Sequence, residues 1–148
     1  MLMPTKILVP TDFSEPSDKA LAQALDIAKQ YHAKVFLLHV VHQEIHYAYA
    51  DYFASIELGQ EIKATHLADA KDKLQEQLGK FPQAREVDTE TNIREGVPYE
   101  EILKEGKEKG IDLIVIASLG RSGIAKYLIG GVARNVLKGS RCPVLLTK

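Results

Sequence analysis

Short, continuously apolar runs recur along this chain and predict the strands of a buried parallel sheet. Such runs place apolar residues on both faces, as a strand covered by helices on two sides requires. One further segment alternates only weakly between polar and apolar residues, which predicts an outer, partly exposed strand. The predicted strands are Lys6–Pro10, Val35–Val41, Val87–Arg94, Leu113–Ala117 and Val144–Thr147, of which the third is the weakly alternating one.

Between these runs, apolar residues recur at helical spacing and predict four helices. The first begins after Asp12 or Ser14, either of which can cap it, and Pro16 falls in its first turn, where a missing N–H costs nothing. Gly79 and Gly110 follow the second and third helical patterns and are expected to end them. The first predicted helix runs to about Tyr31, and the others cover Leu58–Leu78, Tyr99–Lys109 and Ile129–Leu137.

The alternation of strands and helices predicts right-handed crossovers and a parallel sheet with helices on both faces. In an open sheet of this kind, ligands bind beyond the carboxyl ends of the strands, where the winding reverses. Two loops suit that place: residues 10–14 after the first strand and residues 118–123 after the fourth. The second loop leads to a helix start, where unpaired N–H groups and the helix dipole favour an anion. The pattern alone does not show that the two strands are neighbours.

Composition excludes several classes of protein. The 148 residues are enough for one domain, residues 1–148, with a full core. The chain has 19 basic and 20 acidic residues, so it lacks the charge excess of a nucleic-acid or membrane-surface binder. Its one cysteine, Cys142, forms no intrachain disulfide and fits a reducing compartment. No apolar run is long enough for a membrane span and no secretory signal is visible, so a cytoplasmic location is expected.

No constellation of residues predicts catalysis. The segment Gly120–Gly131 has neither Walker nor dinucleotide-binding spacing, and loop glycines are more often turn residues than ligand contacts. Asp12 could act as a general base by position, but no serine or cysteine nucleophile is evidently paired with it. His42 and His46 would share a helix face, yet no third metal ligand has a convincing spacing. His39, inside an apolar strand, is interpreted as a hydrogen-bonded core or edge residue.

Several dispersed blocks of sequence, in order, resemble the universal stress protein family. They are ILVPTDFSEPSDKAL, VFLLHV, GVPYEEI, DLIVIASLGRSG, and GGVARNVL followed after four residues by CPVLL. The resemblance covers nearly the whole chain and is weakest between residues 42 and 95. It implies an α/β fold with a three-layer, open, parallel five-stranded sheet in the order 3-2-1-4-5, like the adenine nucleotide alpha hydrolases. It also implies a homodimer through the last strand, and it places the Asp12 loop next to the Gly120 loop.

The nucleotide-binding members of that family resemble a glycine motif, G-x-x-G, nine residues, then G-[ST], which this chain matches in part. Gly120 and Gly130 have the required spacing, whereas Ala117 replaces the first glycine and Gly131 replaces the final serine or threonine. Leu119 stands where many binders carry histidine. Ala117 adds a methyl group where the backbone approaches the ligand. Gly131 removes one hydroxyl donor, a loss of about 0.5–1.5 kcal/mol.

By the same resemblance, each part of an adenine nucleotide (ATP, ADP or AMP) has candidate residues. Val40 and Asp12 would border the adenine, and Pro10 and Ala117 the ribose. Arg121 is the candidate bidentate phosphate partner, with a solvated loop charge as the alternative, and Mg²⁺ would be held mainly by the phosphates. The N–H groups expected to face the phosphates are those of Gly120, Gly130, Gly131 and Val132. The full predicted set is Pro10, Thr11, Asp12, Val40, Ala117, Leu119, Gly120, Arg121, Gly123, Gly130, Gly131 and Val132.

The expected function is that of a cytoplasmic stress-response factor that binds an adenine nucleotide at the ends of the first and fourth strands. The alternative is a family member that binds no nucleotide and acts through protein contacts, with the aromatic segment 42–57 as its candidate surface. A slow ATPase or an adenylate-forming enzyme is a third class, although its catalytic residues are not evident. Protein partners beyond a second copy of the chain are unidentified, and neither a nucleic acid nor a membrane is expected.

Overall fold

The predicted strands form one parallel sheet, in the order that the resemblance implies. A computed structural model describes residues 2–42, 56–119 and 129–148, and of residues 56–58 only the backbone. The strands are β1 (Lys6–Pro10), β2 (Lys34–His42), β3 (Thr89–Gly96), β4 (Leu113–Ala117) and β5 (Val144–Thr147). Their order across the sheet is β3-β2-β1-β4-β5, and every neighbouring pair is parallel. The predicted fold class is therefore confirmed.

The helices of the described residues pack on both faces of this sheet. They are α1 (Glu15–Tyr31), α2 (Ile56–Gly79), α3 (Pro98–Lys109) and α4 (Gly131–Gly139). The start of α1 is as predicted, since Ser14 is the N-cap, its side chain accepts from the Ser17 N–H, and a proline lies in the first turn. Gly110 ends α3 with φ of 66°, a left-handed conformation that favours glycine. Within the described ranges, no helix combines the length and the apolar composition that crossing a membrane requires.

Two predicted elements are displaced along the chain by two residues at both ends. Every other predicted boundary lies within two residues of the observed one. The pattern predicts the outer strand over Val87–Arg94, but Pro82–Glu86 form a turn of 3₁₀-helix and the strand begins only at Thr89. Val87 is buried in the core without belonging to the strand. The last helix, predicted over Ile129–Leu137, instead covers Gly131–Gly139. This helix begins and ends with glycine, which has low helix propensity, so tertiary packing rather than local sequence decides where the helix starts and stops.

Alternate side chains of β1 enter two core layers, one on each face of the sheet. Ile7 and Val9 pack with α1 and α2, whereas Leu8 packs with α3 and α4. All three side chains are fully buried, and burying a side chain of this kind stabilises a fold by about 1.5–3 kcal/mol. Since α1 follows β1 on one face and α4 follows β4 on the other, a crevice opens between these two strands at their carboxyl ends.

Candidate functional site

A cavity of about 390 Å³ occupies the crevice at the carboxyl ends of β1 and β4. This volume is within the range of small-molecule sites. The direct pairing of β1 with β4 brings together the two loops that the sequence pattern singled out. The predicted site residues that line the cavity are Pro10, Thr11, Asp12, Val40, Ala117, Leu119, Gly130, Gly131 and Val132. The remaining predicted residues, Gly120, Arg121 and Gly123, lie outside the described part of the chain.

The turn after β1 forms one wall of the cavity and has a constrained backbone. Phe13 adopts φ of 63°, a left-handed conformation that costs a residue with a side chain about 1–2 kcal/mol. The Thr11 hydroxyl oxygen accepts from the Phe13 N–H at 3.0 Å, and the Asp12 carboxylate accepts from the Ser14 N–H at 3.1 Å. Ser14 also donates its hydroxyl proton to Asp12. The turn is therefore held in shape by its own hydroxyl and carboxylate groups.

His39 supports the same turn from the neighbouring strand β2. Its Nδ1 atom lies 2.9 Å from the carbonyl oxygen of Thr11, and because a carbonyl can only accept, Nδ1 carries the proton. Its ring packs against that of Phe13 with the centroids 4.5 Å apart. The prediction that His39 is a hydrogen-bonded residue of the strand is confirmed.

The end of β4 is joined directly to the start of α4. The N–H of Gly130 donates to the carbonyl oxygen of Ser118 at 2.7 Å, and the N–H of Ser118 donates to the carbonyl oxygen of Thr147 at 2.8 Å. A Cβ atom on Gly130 would lie 3.3 Å from the Ser118 oxygen, so glycine permits this close approach. The sequence prediction assigns the Gly130 N–H to a phosphate. That assignment is corrected, because the structure uses this N–H to close the loop.

The first turn of α4 presents backbone N–H groups to the cavity. The first hydrogen bond of this helix runs from the Arg134 N–H to the Gly130 carbonyl at 2.9 Å. The N–H groups of Gly131, Val132 and Ala133 therefore precede the helical ladder. Gly130, at the N-cap, has no side chain with which to cap them. These donors and the helix dipole together favour a bound anion.

The two departures from the glycine motif have different surroundings. Ala117 lines the cavity, and its side chain packs against the core layer on the α1 face. At Gly131, an added Cβ atom would meet no atom of the described residues within 4 Å. A larger residue therefore fits at Gly131, and what this position lacks relative to the motif is a hydroxyl donor.

Sequence reasoning missed the apolar residues that complete the cavity wall. Leu38, Ile102 and Ile116 belong to the core layer on the α3 face, and Pro98 is the first residue of α3. The glycine–valine–proline start of α3 is visible in the sequence, but its position over the ends of β1 and β4 depends on the packing of the helix. The lining residues that were not predicted are Ser17, Leu38, His39, Pro98, Ile102, Ile116, Ser118 and Ala133.

The cavity has an apolar side and a side with backbone donors. Val40, Ile102 and Ile116 supply apolar surface, and the start of α4 supplies N–H donors. In the part of the chain that the structure describes, no group of three or more His, Cys, Asp or Glu residues could hold a metal ion. His46 of the histidine pair, and nearly all of the aromatic segment 42–57, lie outside that part.

A charged cluster lies near the cavity, on the α3 face of the outer strand. Arg94, the register partner of Val40, donates to Glu101 at 2.8 Å, to Glu105 at 2.9 Å and to Glu108 at 2.8 Å. Glu105 is completely buried and also accepts from Asn92 at 3.0 Å. One guanidinium thus donates to three carboxylates between β3 and α3.

Glu101 is the member of this cluster closest to the start of α3. Hydrogen bonds from Arg94 and then from Lys104 hold the pKa of the Glu101 carboxyl below its ordinary value, although burial acts in the opposite direction. Gly96 makes room for this side chain, since a Cβ atom there would lie 2.9 Å from the Glu101 Cγ atom. The φ of 151° at Gly96 also favours glycine.

The fold and the site define an open, doubly wound α/β domain with a small-molecule cavity at its switch point. The model of the universal stress protein family matches residues 3–148, so the chain belongs to that family. A relative from Methanocaldococcus jannaschii, universal stress protein MJ0531, is 36% identical over 97% of this chain and 81% of its own length. Universal stress protein MJ0577 of the same organism is 32% identical over 99% of this chain and 96% of its own length. The solved structure of MJ0577 has a TM-score of 0.84 at 31% identity and covers 99% of this chain and 97% of that one.

Two further solved universal stress proteins hold adenine nucleotides. One is in complex with cAMP, with a TM-score of 0.71 at 23% identity over 99% of this chain and 98% of that one. The other, from Archaeoglobus fulgidus, is in complex with dAMP, with a TM-score of 0.68 at 19% identity over 99% of this chain and all of that one, 100%. At these identities the likeness to this chain is one of fold, and the ligands are those of the two other proteins.

Proposed function

We propose that this protein is a stress-response factor that binds an adenine nucleotide, ATP, ADP or AMP, in the cavity at the ends of β1 and β4. The observation that carries this proposal is the convergence of the Pro10–Ser14 turn, the end of β4 and the first turn of α4 on one cavity. The cavity is the right size for a small ligand and lies where doubly wound sheets bind theirs. The adenine nucleotides in two other members of the fold family support the same ligand class.

The apolar part of the cavity is the proposed place for the base, and the start of α4 the proposed place for the phosphates. The adenine lies against Val40 and Asp12, and the N–H groups of Gly131 and Val132 donate to phosphate oxygens. Pro10 and Ala117 border the ribose.

Three residues of the glycine motif that lie outside the described part of the chain complete the phosphate side of this proposal. Gly120 and Gly123 stay part of the proposed site by the resemblance alone, and Arg121 is the candidate partner that would provide a positive charge and two parallel donors. Mg²⁺ is held mainly by the phosphates, since Mg²⁺ keeps most of its waters and binds through phosphate oxygens in many nucleotide sites. The proposed role is binding rather than turnover, with slow ATP hydrolysis at most.

Calorimetric titration of the protein with Mg-ATP tests the proposal directly. We expect a dissociation constant between micromolar and sub-millimolar, since the motif keeps its spacing but lacks one donor. The absence of both binding heat and a shift in thermal unfolding at millimolar ATP would overturn the proposal. That result would favour the family member that acts through protein contacts.

Gly131 offers a matched pair of variants that tests the phosphate end of the cavity. Gly131→Asp fits the open space at this position, and its charge is favourable for the helix start but repels phosphate. Gly131→Asn has almost the same shape without the charge. We expect the Asp variant to bind ATP at least about tenfold more weakly than the Asn variant, while both unfold at or above the wild-type temperature. Equal affinities would place the phosphates elsewhere.

We also propose that the protein is a cytoplasmic homodimer that pairs through β5. This strand is the last of the sheet order, and an edge strand offers unpaired backbone groups for pairing with another chain. Sedimentation velocity at micromolar concentration should give the mass of a dimer, and native mass spectrometry should report that mass together with any bound nucleotide. A monomer would contradict pairing through this edge.

A further inference from the structure

We propose that Gln77, on α2, is a positioning residue that holds the Thr11–Ser14 turn in the shape the nucleotide cavity requires. This inference rests on the proposed nucleotide site. It assigns part of the support of that site to α2, none of whose described residues lines the cavity. Gln77 is 2% exposed, and its side chain reaches across from the last turns of α2 to the buried hydroxyl of Thr11. Buried polar side chains need hydrogen-bond partners, so the contacts of this amide are part of the framework of the fold.

The orientation of the Gln77 amide is determined by its outer contact. Its Nε2 atom lies 2.8 Å from the Asp18 carboxylate, which can only accept, so Nε2 faces Asp18 and Oε1 faces Thr11. Asp18, in the first turn of α1, is itself paired with Lys80 at 3.1 Å. The carboxylate and the lysine therefore hold the amide in one orientation from the solvent side.

The protons of the inner contacts can then be assigned without conflict. The Ser17 hydroxyl donates to the Ser14 carbonyl at 2.7 Å, and its oxygen lies 3.3 Å from Gln77 Nε2, from which it accepts. The Thr11 hydroxyl also lies 3.0 Å from the Ser17 oxygen, but its single proton has a closer acceptor, Gln77 Oε1, at 2.8 Å. Each buried polar group in the network thus has a partner, as a stable neutral network requires.

Thr11 is the link between this network and the wall of the cavity. Its hydroxyl oxygen accepts from the N–H of Phe13, the residue in the left-handed conformation. With Oε1 of Gln77 removed, the Thr11 hydroxyl is free to rotate toward other acceptors, and the hydrogen bond that holds Phe13 loses its fixed direction. The strained turn then populates other conformations. The apparent affinity for a nucleotide falls in proportion to the fraction of molecules that keep the binding conformation.

The test compares Gln77→Leu with Leu78→Ala, two changes in the same turn of α2. Gln77→Leu removes the hydrogen bonds of the amide to Thr11, Ser17 and Asp18 and keeps the volume. Leu78→Ala removes apolar atoms from the core and lowers stability without touching Thr11. We expect Gln77→Leu to bind Mg-ATP about three- to tenfold more weakly than wild type, and Leu78→Ala to stay within about twofold. Equal weakening in both variants would overturn the proposal, because it would mean that affinity follows stability alone.

A second measurement needs no nucleotide. In the ligand-free protein, the amide proton of Phe13 should exchange with solvent severalfold faster in Gln77→Leu than in Leu78→Ala, while amides in the centre of β2 exchange alike in the two variants. Unchanged exchange at Phe13 would overturn the positioning role. If wild type binds no ATP, the proposed function fails, and the exchange rate at Phe13 still decides whether Gln77 positions the turn.

Discussion

Two polar clusters tie helices to strands at the carboxyl end of the sheet, one on each face. On the α1–α2 face, Thr11, Ser17 and Gln77 form a neutral network with complete hydrogen bonds. On the α3 face, Arg94 binds several glutamates, among them the completely buried Glu105. Both clusters adjoin residues that line the cavity. Thr11 is itself in the cavity wall, and Arg94 pairs in register with Val40, another lining residue.

The clusters differ in what is lost when one of their side chains is removed. A neutral network loses only hydrogen bonds when one member is removed. A charged cluster costs desolvation for every ion and depends on each counter-charge, so the loss of Arg94 leaves the buried Glu105 carboxylate without the cation that pairs with it. The neutral network therefore suits a turn whose shape matters, whereas the charged cluster fixes α3 against the edge strand.

The largest effect is expected for Arg94→Met. This change keeps much of the side-chain volume but removes the cation that pairs with the buried Glu105, and breaking a buried ion pair in this way costs about 3–5 kcal/mol. Urea denaturation measures the free energy of unfolding. Lys104→Met is the control, because it removes an exposed partner of Glu101 and should change stability far less. Similar losses in both variants would contradict the central place of Arg94.

A smaller loss is expected for Gln77→Leu, about 1–3 kcal/mol, since it leaves the Thr11 hydroxyl and the Asp18 carboxylate short of one partner each. The double variant with Thr11→Val should lose less than the sum of the single losses, because the two changes remove the same hydrogen bond. Denaturation of the four proteins in this cycle measures the coupling. Strict additivity would mean that the 2.8 Å contact between Thr11 and Gln77 contributes nothing to stability.

The stability that ATP adds should differ between variants of the two clusters, by less than the losses given above. A saturating nucleotide stabilises the folded state in proportion to the logarithm of its affinity. With a three- to tenfold weaker affinity, Gln77→Leu should gain about 0.7–1.4 kcal/mol less than wild type from the same ATP concentration. Arg94→Met, although less stable, should gain as much as wild type. Thermal unfolding with and without ATP measures both gains, and a reduced gain in Arg94→Met alone would reverse the roles given to the two clusters.

The pH dependence of stability should also distinguish them. The pKa of Glu101 is lowered in the folded state, chiefly by its hydrogen bond from Arg94. Its contribution is therefore complete above the ordinary pKa of a glutamate and is lost as pH falls through the lowered value. In Arg94→Met this contribution is absent, so the stability gap to wild type should narrow between pH 7 and pH 3. The hydrogen bond between Thr11 and Gln77 joins two uncharged groups, so its coupling energy in the double-mutant cycle should stay nearly constant, which unfolding curves across that range would show.

Much of the fold follows from local pattern. The buried strands are predicted to within one residue because their apolar runs are short, continuous and bounded by turn residues, as at Lys6–Pro10 and Leu113–Ala117. The start of α1 follows from Ser14 and a proline in the first turn. The outer strand is displaced because Val87 is apolar and buried in the core although it lies before the strand. Burial and strand membership are different properties, and the pattern of hydrophobic residues reports burial.

Sequence reasoning identified positions that line the cavity, but not the contacts that those residues make. The spacing of Gly120 and Gly130 and the two departures at Ala117 and Gly131 are properties of the sequence. Only the tertiary structure decided that the Gly130 N–H binds Ser118, that Gly131 has open space around it, and that α3 completes the wall. Each of these depends on chain segments that meet only after the sheet has formed.

The amino-acid sequence by itself determined the elements, their order and the chemical character of the loops between them, because these depend on residues a few positions apart. The tertiary structure decided which side chains meet. Thr11 and Gln77 are 66 residues apart in the chain, and no local periodicity relates them. Their contact, and with it the shape of the turn beside the cavity, exists because a parallel sheet brings distant segments together on the same face.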